Sequence, residues 1–138
     1  MSIDEIQNNI ITEFAVFDDW MDKYALLIEM GNSLPLLEVN LKSENNLIAG
    51  CQSRVWLHAE YVEGKVFYQA ESDALIVKGI VALLINVLSG HTPHEILEAD
   101  LYFIEQIGLK DHLSPTRSNG LVALLKQMRM YALAFSVK

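Results

Sequence analysis

The first thirty residues place apolar side chains three or four positions apart, which is the spacing of one face of an α-helix. In the first stretch these are Ile3, Ile6, Ile10 and Phe14. Ser2 and Glu5 stand at its start with the spacing of a capping box. In the second stretch they are Trp20, Tyr24, Leu27 and Ile28. Asp18 and Asp19 precede that stretch and Gly31 follows it, so we predict a second amphipathic helix that Gly31 ends.

Near the middle of the chain, apolar residues recur at every second position, which is the spacing of a β-strand. Before that stretch, residues 32–46 show no clear period and are predicted to form a loop. The alternating apolar positions that follow are Val55, Leu57, Ala59 and Tyr61. Glu63 and Gly64 have the composition of a turn, after which residues 65–71 return as a second strand. Because a hairpin alone is marginally stable, residues 46–50 are predicted to add a short third strand.

A long apolar segment then predicts the centre of the fold. Residues 74–89 are apolar on nearly every side, which indicates a buried helix. Ser72 or Asp73 is predicted to be its N-cap, and Gly90 is predicted to end it.

Two later helix starts carry a proline at the first helical position. Thr92 and Glu95 form a second capping box, which begins short helical turns. Ser114 and Pro115 begin the last helix. Its apolar face includes Leu121, Leu124, Leu125 and Met128. Together the elements predict a single α+β domain over residues 1–138, with a small antiparallel β-sheet packed against helices.

Composition and charge narrow the possible functions. The 138 residues are 51% hydrophobic and 20% charged, as in a packed globular domain. A net charge of -8 argues against nucleic acid as a partner, since phosphate binding needs clustered lysine and arginine. The first residues are acidic where a signal peptide is basic, and residues 74–88 are too short and too interrupted to span a bilayer. We therefore expect a cytoplasmic protein with no membrane partner.

Cys51 is the only cysteine, so the chain has no intrachain disulfide and no cysteine-based zinc or iron–sulfur ligand set. Gly50 before it, and Gln52 and Ser53 after it, favour a tight turn that presents the thiol to another protein. The alternative is a small buried core residue, as free cysteine often is. The four histidines lack the spacing of a metal site, so no metal is expected.

Three further residues are candidates for chemistry around this thiol. His58 is the only base nearby in sequence, although a half-exposed strand histidine needs no such role. Asp73 is already explained as a helix cap. Arg117 falls in the first turn of the last helix, where the helix dipole disfavours a cation. It is therefore either a surface arginine or one that steadies a thiolate or meets a partner's carboxylate.

Five motifs in register resemble the SufE family of sulfur acceptors over residues 14–135. They are Trp20-Met21-Asp22-Lys23-Tyr24 with Ile28 to Gly31 and Leu34-Pro35, Asn46 to Ser53 with Val55-Trp56, Ser72-Asp73-Ala74 with Val77-Lys78-Gly79, Thr92-Pro93, and Leu113-Ser114-Pro115 with Arg117 and Gly120. The second motif is the most specific and contains Cys51. The resemblance implies a fold like that of the IscU/NifU scaffold proteins.

The resemblance also implies that Cys51 is a persulfide-forming sulfur acceptor. In this family the thiol takes sulfur from a SufS-type cysteine desulfurase, which it stimulates, and passes it to a SufBCD-type scaffold that builds iron–sulfur clusters. The residues implied to support it are Gly50, Gln52, Ser53, Asp73 and Arg117. Such a carrier is not an enzyme. It is expected to be a monomer with no cofactor beyond the transient persulfide, since pyridoxal phosphate belongs to the desulfurase.

Thiol chemistry supports a carrier and leaves one alternative. A second cysteine nearby would release the sulfur by forming a disulfide, so a lone thiol suits a carrier. Shielding the persulfide predicts a hinge at Gly50 and apolar lining from Val55, Trp56 and Leu57. A cluster scaffold would need more cysteines. The alternative is a stand-alone thiol enzyme that uses Cys51 as its nucleophile and needs a base and a substrate pocket.

Overall fold

The helices and strands follow the predicted order. The structure is a computed structural model that describes residues 1–50 and 53–137, apart from the side chain of residue 116. In chain order the elements are α1 Ile3–Ala15, α2 Trp20–Asn32, β1 Val55–Val62, β2 Lys65–Ser72, α3 Leu75–Leu88, α4 Pro93–Glu98, α5 Phe103–Gln106 and α6 Pro115–Ser136. Short 3₁₀ turns occupy Val39–Leu41, Glu44–Asn46 and Lys110–His112. Six helices and one antiparallel sheet in the described ranges confirm the α+β class.

Capping signals in the sequence correctly locate the starts of α1, α4 and α6. Ser2 Oγ accepts the backbone N–H of Glu5 at 3.1 Å, while the Glu5 carboxylate accepts the N–H of Ser2 at 3.3 Å. These hydrogen bonds lower the pKa of Glu5. Thr92 and Glu95 repeat the same capping box at α4. Ser114 Oγ accepts the N–H of residue 117 at the start of α6, as its position predicts.

The sheet is a two-stranded hairpin. Its register pairs Val55 with Ser72 and ends in the two-residue turn Glu63–Gly64, where both residues have positive φ, 52° and 80°. That backbone is typical of a type I′ turn, whose twist suits a hairpin. The predicted third strand over 46–50 is wrong, because only a single bridge joins this segment to β1. A 3₁₀ turn precedes the bridge and a positive φ at residue 50 follows it, so the segment turns away at once.

Helix α3 is the centre of the fold, as its all-round apolar sequence predicts. Its buried members are Gly79, Ile80, Val81, Leu83, Leu84, Val87 and Leu88. The helix packs closely against α2 and β2. It is shorter by one residue at each end than the predicted 74–89, and Gly90 follows it with φ of 82°. Among the described residues, no helix is both long and apolar enough to span a membrane.

Gly31 has a role in packing and does not end α2, which continues to Asn32. A Cβ atom at Gly31 would lie 2.8 Å from the backbone nitrogen of Gly79, and one at Gly79 would overlap the carbonyl oxygen of Leu27. The two glycines therefore let the backbones of α2 and α3 approach closely. Periodicity alone cannot distinguish this use of glycine from a helix stop.

Candidate functional site

The segments that flank the predicted acceptor in sequence are held together by backbone contacts. Cys51 and Gln52 are outside the described residues, so the predictions about their side chains stay predictions. On either side of them, the backbone N–H of Ile48 donates to the carbonyl of Val55 at 2.8 Å. Leu47 and Trp56 form an antiparallel bridge. The described residues on either side are thus held together, and the stretch 49–54 between them is called the loop below.

Asp73 holds the far end of this loop. Its carboxylate accepts the backbone N–H of Arg54 at 3.1 Å, and its own N–H donates to the carbonyl of Arg54 at 3.3 Å. The predicted N-cap role is wrong for Asp73, because α3 begins with Ala74 as an N-cap that has no side-chain hydrogen bond. Ser72 Oγ accepts the N–H of Ala74 at 3.3 Å, one residue before the helix. Asp73 is exposed and extends the β1–β2 ladder by one pair.

Gly50 brings the near end of the loop against the last helix. Its φ of 91° lies in the left-handed region that favours glycine. A Cβ atom there would lie 3.5 Å from the Cβ of Ala123 on α6, which is ordinary contact distance. Gly50 is exposed, and Ser53 at the other side of the gap is half-buried. Gly50, Ser53 and Asp73 thus lie on the segments that flank the two undescribed residues, and their supporting roles stay predictions.

Arg117 lies on the same helix as Ala123, in its first turn. Its backbone N–H donates to Ser114 Oγ at 3.3 Å, so its placement is fixed by the cap. The side chain is exposed and forms no ion pair within the described residues. Six residues of helix separate Arg117 from Ala123, a rise of about 9 Å. Its predicted role, to steady a thiolate or to meet a partner's carboxylate, stays a prediction.

The residues predicted to line a persulfide pocket do not all face the same way. Val55 and Leu57 are 0% and 1% exposed and belong to the core. Trp56 lies between them on the opposite face of the hairpin, as strand alternation requires. A common lining by Val55, Trp56 and Leu57 is therefore wrong.

Lys42 and Glu71 form an ion pair beside Trp56 that the sequence analysis missed. The Lys42 ammonium lies 2.8 Å from the Glu71 carboxylate and 4.9 Å from the centroid of the Trp56 ring. Glu71 also accepts the N–H of Leu37 at 3.0 Å. The hydrogen bond with Lys42, followed by that from Leu37, lowers the pKa of Glu71. The ion pair fastens the 33–46 segment to the face of the sheet next to the loop. The one feature that could have indicated this ion pair is the place of Glu71 opposite Trp56 in the hairpin.

His58, the candidate base, contacts Glu60. Its Nε2 lies 3.2 Å from the Glu60 carboxylate, which is further along β1 from the loop. This contact gives no support to His58 as a base for Cys51. Over the described part of the chain, no three His, Cys, Asp or Glu side chains gather closely enough to hold a metal ion.

Comparison of the sequence with known proteins shows which family it matches. Residues 8–132 match the family model described as SufE, the Fe-S metabolism associated domain. An uncharacterized SufE-like protein of Synechocystis sp. is 42% identical over 129 residues, which are 93% of this chain and 80% of that protein. An uncharacterized SufE-like protein of Rhizobium meliloti is 37% identical over 130 residues, 91% of this chain and 93% of that one.

A solved structure shares the fold. The solution structure of a hypothetical protein from Thermus thermophilus superposes with a TM-score of 0.79 and covers 96% of this chain and 97% of its own. The two sequences are 23% identical. At that identity the likeness establishes the arrangement of helices and strands only.

Proposed function

Because this chain belongs to the SufE family, whose domain is associated with Fe-S metabolism, we propose that it is a sulfur acceptor and carrier that uses Cys51. One observation carries the proposal. The only thiol of the chain stands in sequence between two segments that the fold holds in place, through Ile48 with Val55 and through Arg54 with Asp73. Reactive residues are often found between such rigidly held segments.

The transfer step needs only a thiolate and a persulfide. The Cys51 thiolate forms a bond to the outer sulfur of a donor persulfide, and the bond between that sulfur and the donor's cysteine breaks. The donor's cysteine leaves as a thiolate, so no oxidant or reductant is consumed. The lone cysteine favours a stable product, since no second thiol of the chain can displace the sulfur.

The donor in this proposal is a SufS-type cysteine desulfurase, and the recipient is a SufBCD-type scaffold complex. Removing sulfur from the donor frees its cysteine for another turnover, so the carrier stimulates the desulfurase. Pyridoxal phosphate stays with the desulfurase, and this chain carries a covalent group without turning over a substrate alone. We propose that it acts as a cytoplasmic monomer.

Intact-protein mass spectrometry tests the proposal. The chain is incubated with a cognate cysteine desulfurase, pyridoxal phosphate and free cysteine, beside a Cys51→Ser variant. We expect the unmodified chain to gain one or more sulfur masses that a reductant removes, and the variant to gain none.

Two results would contradict a carrier. The first is a thiol that alkylates readily and yet receives no sulfur from any cognate desulfurase. The second is turnover of a small substrate by the chain alone, which would favour the stand-alone thiol enzyme. A matched reaction without the desulfurase shows any mass that the chain gains without a persulfide donor.

A further inference from the structure

An apolar groove runs along the outer side of α6, next to α4. It encloses about 420 Å³ and is lined by five apolar side chains together with Lys126 and Arg129. Three of the apolar side chains are well exposed, namely Val122 at 59%, Met130 at 53% and Leu133 at 56%. Apolar side chains at helical spacing on the outside of a helix are typical of a surface that receives another helix.

The charge of the groove is opposite to that of the protein. The chain has a net charge of -8, whereas α6 carries three basic residues and no Asp or Glu. No carboxylate lines the groove. Arg129 donates from Nη2 to the carbonyl of Ala99 at 2.8 Å, and its buried Nε has no hydrogen-bond partner within the described residues. A cationic, apolar groove on an acidic protein complements an acidic, amphipathic segment.

One end of the groove adjoins, in sequence, the residue of α6 that lies against Gly50, although the two face different sides of the helix. Val122 is the neighbour of Ala123, the residue that Gly50 approaches. From Val122 the groove follows α6 to Leu133, which is about 16 Å of helix. A protein that brings a cysteine to the loop would therefore also reach this groove.

We propose that the groove on α6 and α4 binds an acidic amphipathic helix of the desulfurase that loads Cys51. This inference rests on the proposed function, since it names the surface by which the sulfur donor is held. The donor's apolar side chains would cover Val122, Met130 and Leu133, and its carboxylates would lie near Lys126 and Arg129. Binding here would raise the rate of loading without taking part in the transfer itself.

The test compares two substitutions in the groove with two of the same type outside it. Val122→Ser and Lys126→Glu change the groove, while Val16→Ser and Lys110→Glu change exposed residues before α2 and in the last 3₁₀ turn. Two quantities are measured for each protein. One is the desulfurase concentration that gives half-maximal sulfur loading, and the other is the affinity for the same desulfurase by calorimetry at two salt concentrations.

We expect each groove variant to need at least about tenfold more desulfurase, with the same final loading and the same rate of alkylation by a small reagent. The control variants should match the unmodified chain. Lys126→Glu should also weaken the salt dependence of binding, as loss of a favourable charge pair requires. Unchanged half-maximal concentrations in both groove variants would overturn the groove proposal and leave the carrier function standing.

Failure of the proposed function gives a different pattern. If the unmodified chain never gains sulfur, the affinities measured by calorimetry are the only test of the groove proposal. Desulfurase binding that both groove variants weaken tenfold or more would support the groove without sulfur transfer. Absence of binding by the unmodified chain, or equal binding by all variants, would overturn it.

Discussion

At the scale of single residues, backbone hydrogen bonds hold the segments that flank the candidate site. Asp73 shows this best, because its carboxylate receives the N–H of Arg54 and its N–H meets the carbonyl of the same residue. An aspartate before a helix in sequence is ordinarily a cap. In this chain Asp73 pairs with Arg54 instead of capping α3, because the two residues come directly after the last hairpin pair, Val55 and Ser72. The sequence suggested that Asp73 matters, and only the pairing of two distant segments shows how.

Replacing Asp73 by alanine should loosen the end of the loop. The variant loses the acceptor for the Arg54 N–H, whereas Asp73→Asn keeps an acceptor oxygen at the same position. We expect Asp73→Ala to raise the rate of Cys51 alkylation about three- to tenfold, since a hydrogen bond of about 1 kcal/mol restrains the loop. Alkylation of the native protein followed by mass spectrometry gives the rates. Equal rates in Asp73→Ala, Asp73→Asn and the unmodified chain would show that this contact does not restrain the loop.

At the scale of elements, local signals predicted most of the fold. Capping boxes, the alternation of β1 and the apolar run of α3 each depend on neighbours in sequence, and each was confirmed. Most of the errors and omissions concern contacts between distant segments. Gly31 packs on α3, residues 46–50 bridge to β1 without forming a strand, and Lys42 reaches Glu71 from a loop without a period. Spacing along one segment carries no information about which other segment lies against it.

The close contact between α2 and α3 predicts that Gly79→Ala lowers the stability of this protein, whereas the same substitution would stabilise an isolated helix. In an isolated helix, Gly79→Ala would stabilise the structure by about 1 kcal/mol. In this protein the added methyl group would overlap the Leu27 carbonyl, and the helices would have to separate. We therefore expect the free energy of unfolding to fall by about 2 to 4 kcal/mol, as overpacking outweighs helix propensity.

Urea denaturation of Gly79→Ala measures this change. Gly64→Ala is a control, since its Cβ would meet nothing within 4 Å and only the positive φ of 80° opposes it. That variant should lose about 1 kcal/mol. A gain in stability for Gly79→Ala would mean that the two helices are not held as closely as described.

At the scale of the whole molecule, α6 joins the candidate site to the core and to the proposed docking groove. One side of the helix buries Leu121, Leu124, Met128 and Ala132 in the core. Ala123 faces the loop at Gly50, and the outer side lines the groove. A change in how α6 sits on the hairpin would therefore reach the loop and the groove together. A hydrogen bond from Tyr68 on β2 to the carbonyl of Met128, at 2.6 Å, joins α6 to the hairpin.

This hydrogen bond makes stability depend on alkaline pH. Burial of the Tyr68 side chain raises its pKa, so the folded protein favours the neutral phenol. Its contribution is complete below the unfolded pKa of about 10 and is lost as pH rises above that value. Tyr68→Phe should cost about 1 to 2 kcal/mol at neutral pH, because the buried Met128 carbonyl loses its donor. The difference in unfolding free energy between the two proteins should shrink above pH of about 10.

Urea denaturation at a series of pH values gives that difference, with Tyr61→Phe as the control. Tyr61 is exposed and stacks its ring on Phe135 at 5.3 Å, a contact that phenylalanine keeps. The unmodified chain and Tyr68→Phe share all the other tyrosines, so the titration of those residues cancels in the difference between the two unfolding free energies. A constant difference across the alkaline range would mean that Tyr68 ionises as readily in the folded chain as in the unfolded one. Tyr68→Phe should also shift the amide signals of Ala123 and Gly50, since α6 carries the change from the hairpin to the loop.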